Sequence, residues 1–229
     1  MYQKDPVPME QKRRSKIKEQ LLNLIYPKTC GICGKGKDTY LCKKCENRLK
    51  TIAIFGKDEY LDKNFENHYY IFKYDNIIRK LIIDYKFNEK AYIYRSFSNF
   101  LNKNKEIYSK LYFYDIIMPV PISKKRKKTR GYNQSNLLAK EIAEIYSLKL
   151  ESKTLIKCID NIAQSTLDKN GRGENVIGAY KVKDALKIID KKILLIDDIF
   201  TTGATVEECS KMLKIYGAEK IDILTIAKD

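Results

Sequence analysis

The sequence predicts an α/β protein with a mainly parallel sheet and helices on both faces, preceded by a small N-terminal four-cysteine module. Three observations carry that prediction. From residue 69 onward, apolar strand-like runs alternate with helix-like periodicity. One run, Lys192 to Ile196, is apolar beyond its first residue and ends on two adjacent acids, as a buried strand does when its carboxyl end reaches a site. Four cysteines form two Cys-x-x-Cys pairs between Cys30 and Cys45.

A chain of 229 residues can bury one sizeable core and carry an appendage. We expect an N-terminal helix and metal module over residues 1–60 and the α/β domain over residues 61–229. Lysines interrupt every apolar stretch, so no membrane insertion is expected. The Lys/Arg-rich stretch after Pro6 and Pro8 lacks the apolar core of a signal peptide, which suggests a cytoplasmic protein. Forty-five Lys plus Arg against 29 Asp plus Glu give a formal charge of +16, which favours polyanionic partners. Ile, Lys, Asn and Tyr are all abundant, so a lysine-rich composition is the competing explanation. The charge is nonetheless clustered, at Lys12, Arg13, Arg14, Lys16 and Lys18 and again at Lys124, Lys125, Arg126, Lys127, Lys128 and Arg130.

Taken in order, residues 10–26 read as an amphipathic helix with Ile17, Leu21, Leu24 and Ile25 on one stripe, ended by Pro27. It either docks on the body of the protein or offers a basic surface to nucleic acid. Cys30, Cys33, Cys42 and Cys45 follow, two knuckles that suit four thiolates around one structural zinc ion, with a redox or disulfide role as the alternative. Four cysteine ligands leave no open position, so such a zinc folds the segment and does not catalyse. Cys158 and Cys209 read as buried small residues. His68, the only histidine, opens an apolar run and reads as strand surface, which leaves a Ser-His-Asp hydrolase little to draw on.

Strands are expected at 69–74, 114–120, 154–158, 192–196 and 220–227, with helices at 76–85, 91–102 and 132–146. After Asp197 and Asp198 comes Ile199-Phe200-Thr201-Thr202-Gly203-Ala204-Thr205, then a helical pattern. A helix starting there presents unpaired N–H groups and the positive end of its dipole to a phosphate. The acids suit two vicinal ribose hydroxyls, and Thr201, Thr202 and Thr205 add hydroxyl donors. An N-capped helix without a ligand is the plainer reading, but a cap needs one such residue. The stretch Pro119-Val120-Pro121-Ile122-Ser123-Lys124 is a second strand end that breaks into a proline-bounded loop and a basic run.

The run Ile196 to Thr205 resembles the phosphoribosyl pyrophosphate (PRPP) loop of type I phosphoribosyltransferases. Arg130-Gly131-Tyr132-Asn133-Gln134, then Gln164 with Leu167, then Arg172, Asn175, Val176, Gly178, Ala179 and Tyr180, narrow the resemblance to the ComF family, phosphoribosyltransferase-like proteins linked to competence for DNA uptake. The resemblance runs from the cysteine knuckles to Ala227. It implies the type I phosphoribosyltransferase fold, PRPP as ligand and magnesium carried with it. Asp197 and Asp198 hold the ribose as the catalytic pair, Thr201, Thr202, Gly203, Ala204 and Thr205 the 5′-phosphate, and Ile122, Ser123 and Lys124 the pyrophosphate. Arg130, Asn133, Gln134, Gln164, Arg172 and Asn175 are further motif candidates, with Arg130 or Arg172 closing over the site. The basic clusters suggest single-stranded DNA as a partner, and the family implies a place among DNA-uptake proteins. An active transferase of nucleotide salvage and a PRPP-sensing regulator are the other readings. The acceptor is not legible, because residues 65–102, where a hood over the sheet is expected, offer aromatics suited to base stacking or to core packing.

Overall fold

The computed structural model describes residues 29–35, 39–88, 90–103, 111–159 and 178–229. The predicted helix at 10–26, with its basic cluster, lies outside them.

Helix α1 (Lys43–Ile52) leaves the second cysteine knuckle and runs into β1 (Ala53–Glu59), which turns into β2 (Asn67–Lys73). Neither α1 nor β1 was visible in the periodicity, because α1 buries only Cys45, Glu46 and Leu49 of its ten residues. Helices α2 (Asn76–Phe87) and α3 (Ile93–Asn102) follow, α2 capped by the Asp75 carboxylate, which accepts from the N–H groups of Ile77 and Ile78. Then come β3 (Ile116–Pro119), α4 (Lys124–Arg130), α5 (Gln134–Tyr146), β4 (Lys149–Leu150) and β5 (Leu155–Lys157). The chain ends with β6 (Tyr180–Val182), β7 (Lys192–Phe200), α6 (Ala204–Ile215) and β8 (Lys220–Lys228).

Six strands form the main sheet in the order β1-β2-β8-β7-β3-β4. All pairs are parallel except β1 with β2, so the expected mainly parallel α/β sheet is present with one antiparallel edge strand. Strand β5, expected within the main alternation, pairs instead with β6 as a separate antiparallel ribbon. β7 is central and continues through Asp197 to Phe200, four residues beyond the strand end expected from the apolar run. The acids conceal its length, since pairing to β8 persists past them.

Alternation along β7 and β8 divides the core between the two faces. Leu194, Ile196, Leu224 and Ile226 pack with Phe97 and Phe100 of α3 and Leu138 and Ile142 of α5, and this cluster continues into Cys30, Leu41, Cys45 and Leu49 of the cysteine module. Ile193, Leu195, Ile221 and Ile223 pack with Val206, Cys209 and Leu213 of α6. Carboxyl ends of β7 and β3 therefore open side by side at one end of a sheet covered on both faces.

Candidate functional site

Two clusters of chemistry-bearing residues stand out among those described. The first is the cysteine module. The sulfurs of Cys30, Cys33, Cys42 and Cys45 all lie within 4.8 Å of one another. Thiolates about 2.3 Å from a tetrahedral zinc ion sit about 3.8 Å apart, and Cys33 Sγ and Cys42 Sγ are 3.8 Å apart. Burial opposes ionisation of Cys30, but N–H groups of Cys42, Cys33 and Ile32 outweigh it and bring the thiol down to about 7. Burial pushes Cys45 up. The donor set therefore fits a structural zinc with no open position. Gly31 allows the module to seat on α3, since a Cβ there would stand 2.5 Å from Ser96 Oγ. Glu46 joins the two parts by accepting from Lys103 at 2.6 Å.

The second cluster is a cleft of about 800 Å³ at the carboxyl ends of β7 and β3. On its floor, Asp197 Oδ1 accepts from Ser135 Oγ and from the Asp198 N–H, both at 2.9 Å. Asp198 Oδ1 is paired with Lys86 Nζ at 2.7 Å. Burial, and then the Asp198 carboxylate, push Asp197 up to about 7 against the opposing pull of Lys86. Past Phe200 the chain turns through Thr201 and Thr202 to Gly203, which has φ 75° and begins α6. Only glycine fits there, because a Cβ would also stand 2.5 Å from the Phe200 ring. Thr201 to Thr205 line the cleft, and Thr202 Oγ1 accepts from the Ala204 N–H at 3.4 Å.

The opposite wall differs from expectation. The stretch from Lys124 to Lys128, expected as a loop, lies in helix α4, because Ser123 Oγ caps it by accepting from the Arg126 N–H at 3.2 Å and lysine and arginine are good helix formers. Ile122 lines the cleft, whereas Ser123 is buried and Lys124 is not part of the lining. Lys125, Arg126 and Arg130 face the cleft in its place. Arg130 lies 4.7 Å over the Phe87 ring and donates to Gln134 Oε1 at 3.2 Å. That bond fixes the Gln134 amide, and its Nε2 is left buried with no partner in a residue 1 % exposed that lines the cleft. Asn133 donates to the Val120 carbonyl at 3.0 Å, which joins the β3 loop to the start of α5. Gln164, Leu167, Arg172, Asn175 and Val176 lie outside the described residues.

Sequence reasoning missed the last turn of α2. Tyr85 Oη donates to the Gln134 carbonyl at 2.7 Å, and Tyr132 Oη donates to the Tyr85 carbonyl. These two bonds fix Lys86 over Asp198 and Phe87 under Arg130. The available signal was the spacing Tyr85-Lys86-Phe87, a polar residue between aromatics, which read as hood packing. Two further expectations are corrected. His68 is fully buried, its Nε2 2.8 Å from Thr225 Oγ1 and its ring 4.1 Å from that of Phe200, and burial lowers its pKa to about 3. It is core beneath the threonine loop, not strand surface, and the apolar run it opens lies inside the sheet between β1 and β8. Cys158 is exposed at the end of the β5–β6 ribbon, whereas Cys209 is buried as expected.

Comparison with known proteins places this geometry. The phosphoribosyl transferase domain family matches residues 127–229, and the double zinc ribbon domain family matches residues 21–54. Competence protein F of Haemophilus influenzae is 25 % identical over 203 residues, covering 87 % of this chain and 84 % of that protein. Competence protein ComFC of Bacillus subtilis is 25 % identical over 209 residues, covering 87 % and 75 %. DNA utilization protein YhgH of Salmonella typhi is 28 % identical over 114 residues, about half of each chain. A purine phosphoribosyltransferase structure from Pyrococcus horikoshii aligns over 59 % of this chain and 83 % of its own at 15 % identity, with a TM-score of 0.38. The chain is a phosphoribosyltransferase-domain protein with a four-cysteine zinc ribbon. Competence protein F and ComFC, at 25 % identity, are its relatives over most of its length. Among the described residues, no helix is long and apolar enough to cross a membrane.

Proposed function

We propose that this chain is a PRPP-binding phosphoribosyltransferase-like protein acting in DNA uptake, and that it also holds single-stranded DNA on basic surface. One observation carries the PRPP reading. The acid pair at the end of β7 and the glycine-threonine turn into α6 face, across a single cleft, the cations of α4 and the unpaired Nε2 of Gln134. Asp197 and Asp198 accept from the ribose hydroxyls, and the first turn of α6 with Thr201 to Thr205 takes the 5′-phosphate. For the pyrophosphate we retain Ile122 but give the main role to Arg130 and Gln134, since the Ser123 hydroxyl is committed to its cap and Lys124 does not line the cleft. Magnesium fits the carboxylates of Asp197 and Asp198 and neutralises phosphate oxygens when bound with the ligand.

In transfer, an acceptor atom bonds to the anomeric carbon while the carbon–oxygen bond to pyrophosphate breaks and the leaving group keeps the electron pair. This chain needs no nucleophile of its own for that step; it positions and neutralises. The cleft favours turnover over sensing because the α2 wall remains after every part of PRPP has been given a place. In this reading the zinc-stapled module precedes the PRPP domain of a cytoplasmic protein, and β1 (Ala53–Glu59), placed in the module by the expected boundary at residue 60, belongs to the sheet of the PRPP domain.

The DNA reading rests on α4, which buries none of its seven residues and leaves Lys124, Lys125, Lys127 and Lys128 exposed. Like charges so spaced repel, and a polyanion relieves that repulsion. The names of the relatives, competence protein F, ComFC and DNA utilization protein YhgH, agree with this role.

Calorimetry tests the first reading: PRPP with magnesium binds the native chain and not the Asp197→Asn/Asp198→Asn variant. Equal binding by both removes the site. Fluorescence anisotropy with a labelled oligonucleotide tests the second: affinity falls steeply with salt, and the slope shrinks when Lys124, Lys125, Lys127 and Lys128 are changed to Gln. A flat salt response removes it.

A further inference from the structure

Once ribose, 5′-phosphate and pyrophosphate are placed, one wall of the cleft has no assigned ligand. It is the inner face of α2 with the residue before its cap: Tyr74, Arg79, Ile82, Ile83, Lys86 and Phe87. Its chemistry is uneven. Ile82 and Ile83 give an apolar floor, and Phe87, 60 % exposed, carries Arg130 over its ring at 4.7 Å. No Asn, Gln, Ser or Thr side chain stands among these six, so the wall has little with which to read the donor and acceptor edge of a neutral base. It has charge instead. Arg79 is exposed and has no carboxylate partner among the described residues, and Lys86 already grips an anion, the Asp198 carboxylate, at 2.7 Å. Asp229, just past β8, also lines the cleft, and its N–H donates to the Phe200 carbonyl. The wall is also built to stay in place, since the two tyrosine bonds around Tyr85 fix the last turn of α2 to the start of α5.

We propose that this face of α2 is the acceptor subsite, and that it takes a planar ring carrying a carboxylate or phosphate in preference to a neutral nucleobase. The ring lies against Ile82, Ile83 and the Phe87 edge of the Arg130–Phe87 stack. Its anionic group meets Arg79 and draws Lys86 from Asp198, which frees that carboxylate for the ribose. One movement of Lys86 would thus couple acceptor occupancy to the acid pair. The proposal names the acceptor class for the PRPP site above and rests on that reading, but its test does not depend on turnover.

Two matched pairs of probes differ in charge: nicotinate with nicotinamide, and thymidine 5′-monophosphate with thymidine. Binding of each to the full zinc-loaded chain is followed by ligand-observed NMR, with PRPP and magnesium binding measured separately by calorimetry. At least one pair is expected to show the charged member binding about tenfold more tightly, the size of one charge-assisted contact. The pair that responds separates a free aromatic acid from a nucleotide. Arg79→Gln should bring the two members together while leaving PRPP affinity unchanged, and Phe87→Ala should weaken both. Neutral and charged members binding alike in both pairs overturns the proposal, as does a preference that survives both Arg79→Gln and Lys86→Met. Loss of PRPP binding with the charge preference intact would remove the PRPP reading and leave the subsite standing.

Discussion

The cysteine module and the cleft lie in one chain and differ in how completely their polar atoms are satisfied. In the module four sulfurs converge, Glu46 holds Lys50 at 2.8 Å and Lys103 at 2.6 Å, and Cys30 and Cys45 belong to the main core. In the cleft, by contrast, Gln134 Nε2 has no partner, two carboxylates sit side by side with one lysine between them and solvent, and six cations line the walls. The first arrangement is that of a staple. The second stores unmet interactions, which is what a binding site costs a fold.

The largest effect should come from breaking the staple. Zinc sites of this kind contribute on the order of 10 kcal/mol of folding free energy to their own segment. Strong chelation or Cys45→Ser should therefore unfold residues 29–52 and lower the melting temperature of the whole chain, because that segment shares a core with α3 and α5. Melting curves with and without chelator, alongside bound-metal analysis, check this; an unchanged melt would show that the module and the sheet are independent. The cleft should behave in the opposite way. Asp197→Asn/Asp198→Asn is expected to abolish PRPP binding, by at least about a hundredfold, while leaving the melt unchanged or raised, because it removes a buried like-charge repulsion.

A pH series sharpens the contrast. Asp197 rises from 3.8 to about 7 on folding, so the folded chain holds that proton more tightly than the unfolded one. Its contribution to stability is full below 3.8 and is lost as pH climbs to about 7, at a slope of about 1.4 kcal/mol per pH unit at most. His68 runs the other way. It falls from 6.5 to about 3, so it contributes above 6.5 and that contribution is lost as pH falls towards 3. The two slopes oppose each other across their shared window, and the native profile should be nearly flat there. Asp197→Asn removes one of them, so urea melts of the variant should show stability rising with pH between about 4 and 6.5. A variant profile parallel to the native one would mean that Asp197 is not perturbed by its surroundings.

How much of this was legible in the sequence follows the same division. The parallel sheet, the cysteine cluster and the β7 turn were readable because each is local: an apolar run, two Cys-x-x-Cys pairs, and acids and threonines around one glycine. What escaped was set by distant contacts. The Lys86–Asp198 pair spans more than a hundred positions, and nothing near Lys86 announces it. His68 looks like the start of an exposed strand until β8 covers one edge and Phe200 one face. The run from Lys124 to Lys128 read as a basic loop because Pro119 and Pro121 before it drew attention, although its serine cap and helix-forming lysines were equally visible.

That misreading gives the smallest and most discriminating prediction. If Ser123 serves as a cap, Ser123→Ala costs about 1 kcal/mol of stability and leaves PRPP affinity within about twofold, because only the first turn of α4 loosens. If its hydroxyl instead contacts pyrophosphate, affinity falls while the melt barely moves. Gln134→Leu provides the reciprocal case. It removes a buried amide that has one bond and one unpaired donor, so stability should change little, and PRPP affinity should drop about tenfold through loss of the donor and of the acceptor that orients Arg130. Measuring melts and calorimetry on both variants assigns the pyrophosphate end either to the β3 loop or to the start of α5. Only the second assignment gives Arg130, stacked on Phe87, a phosphate oxygen to hold.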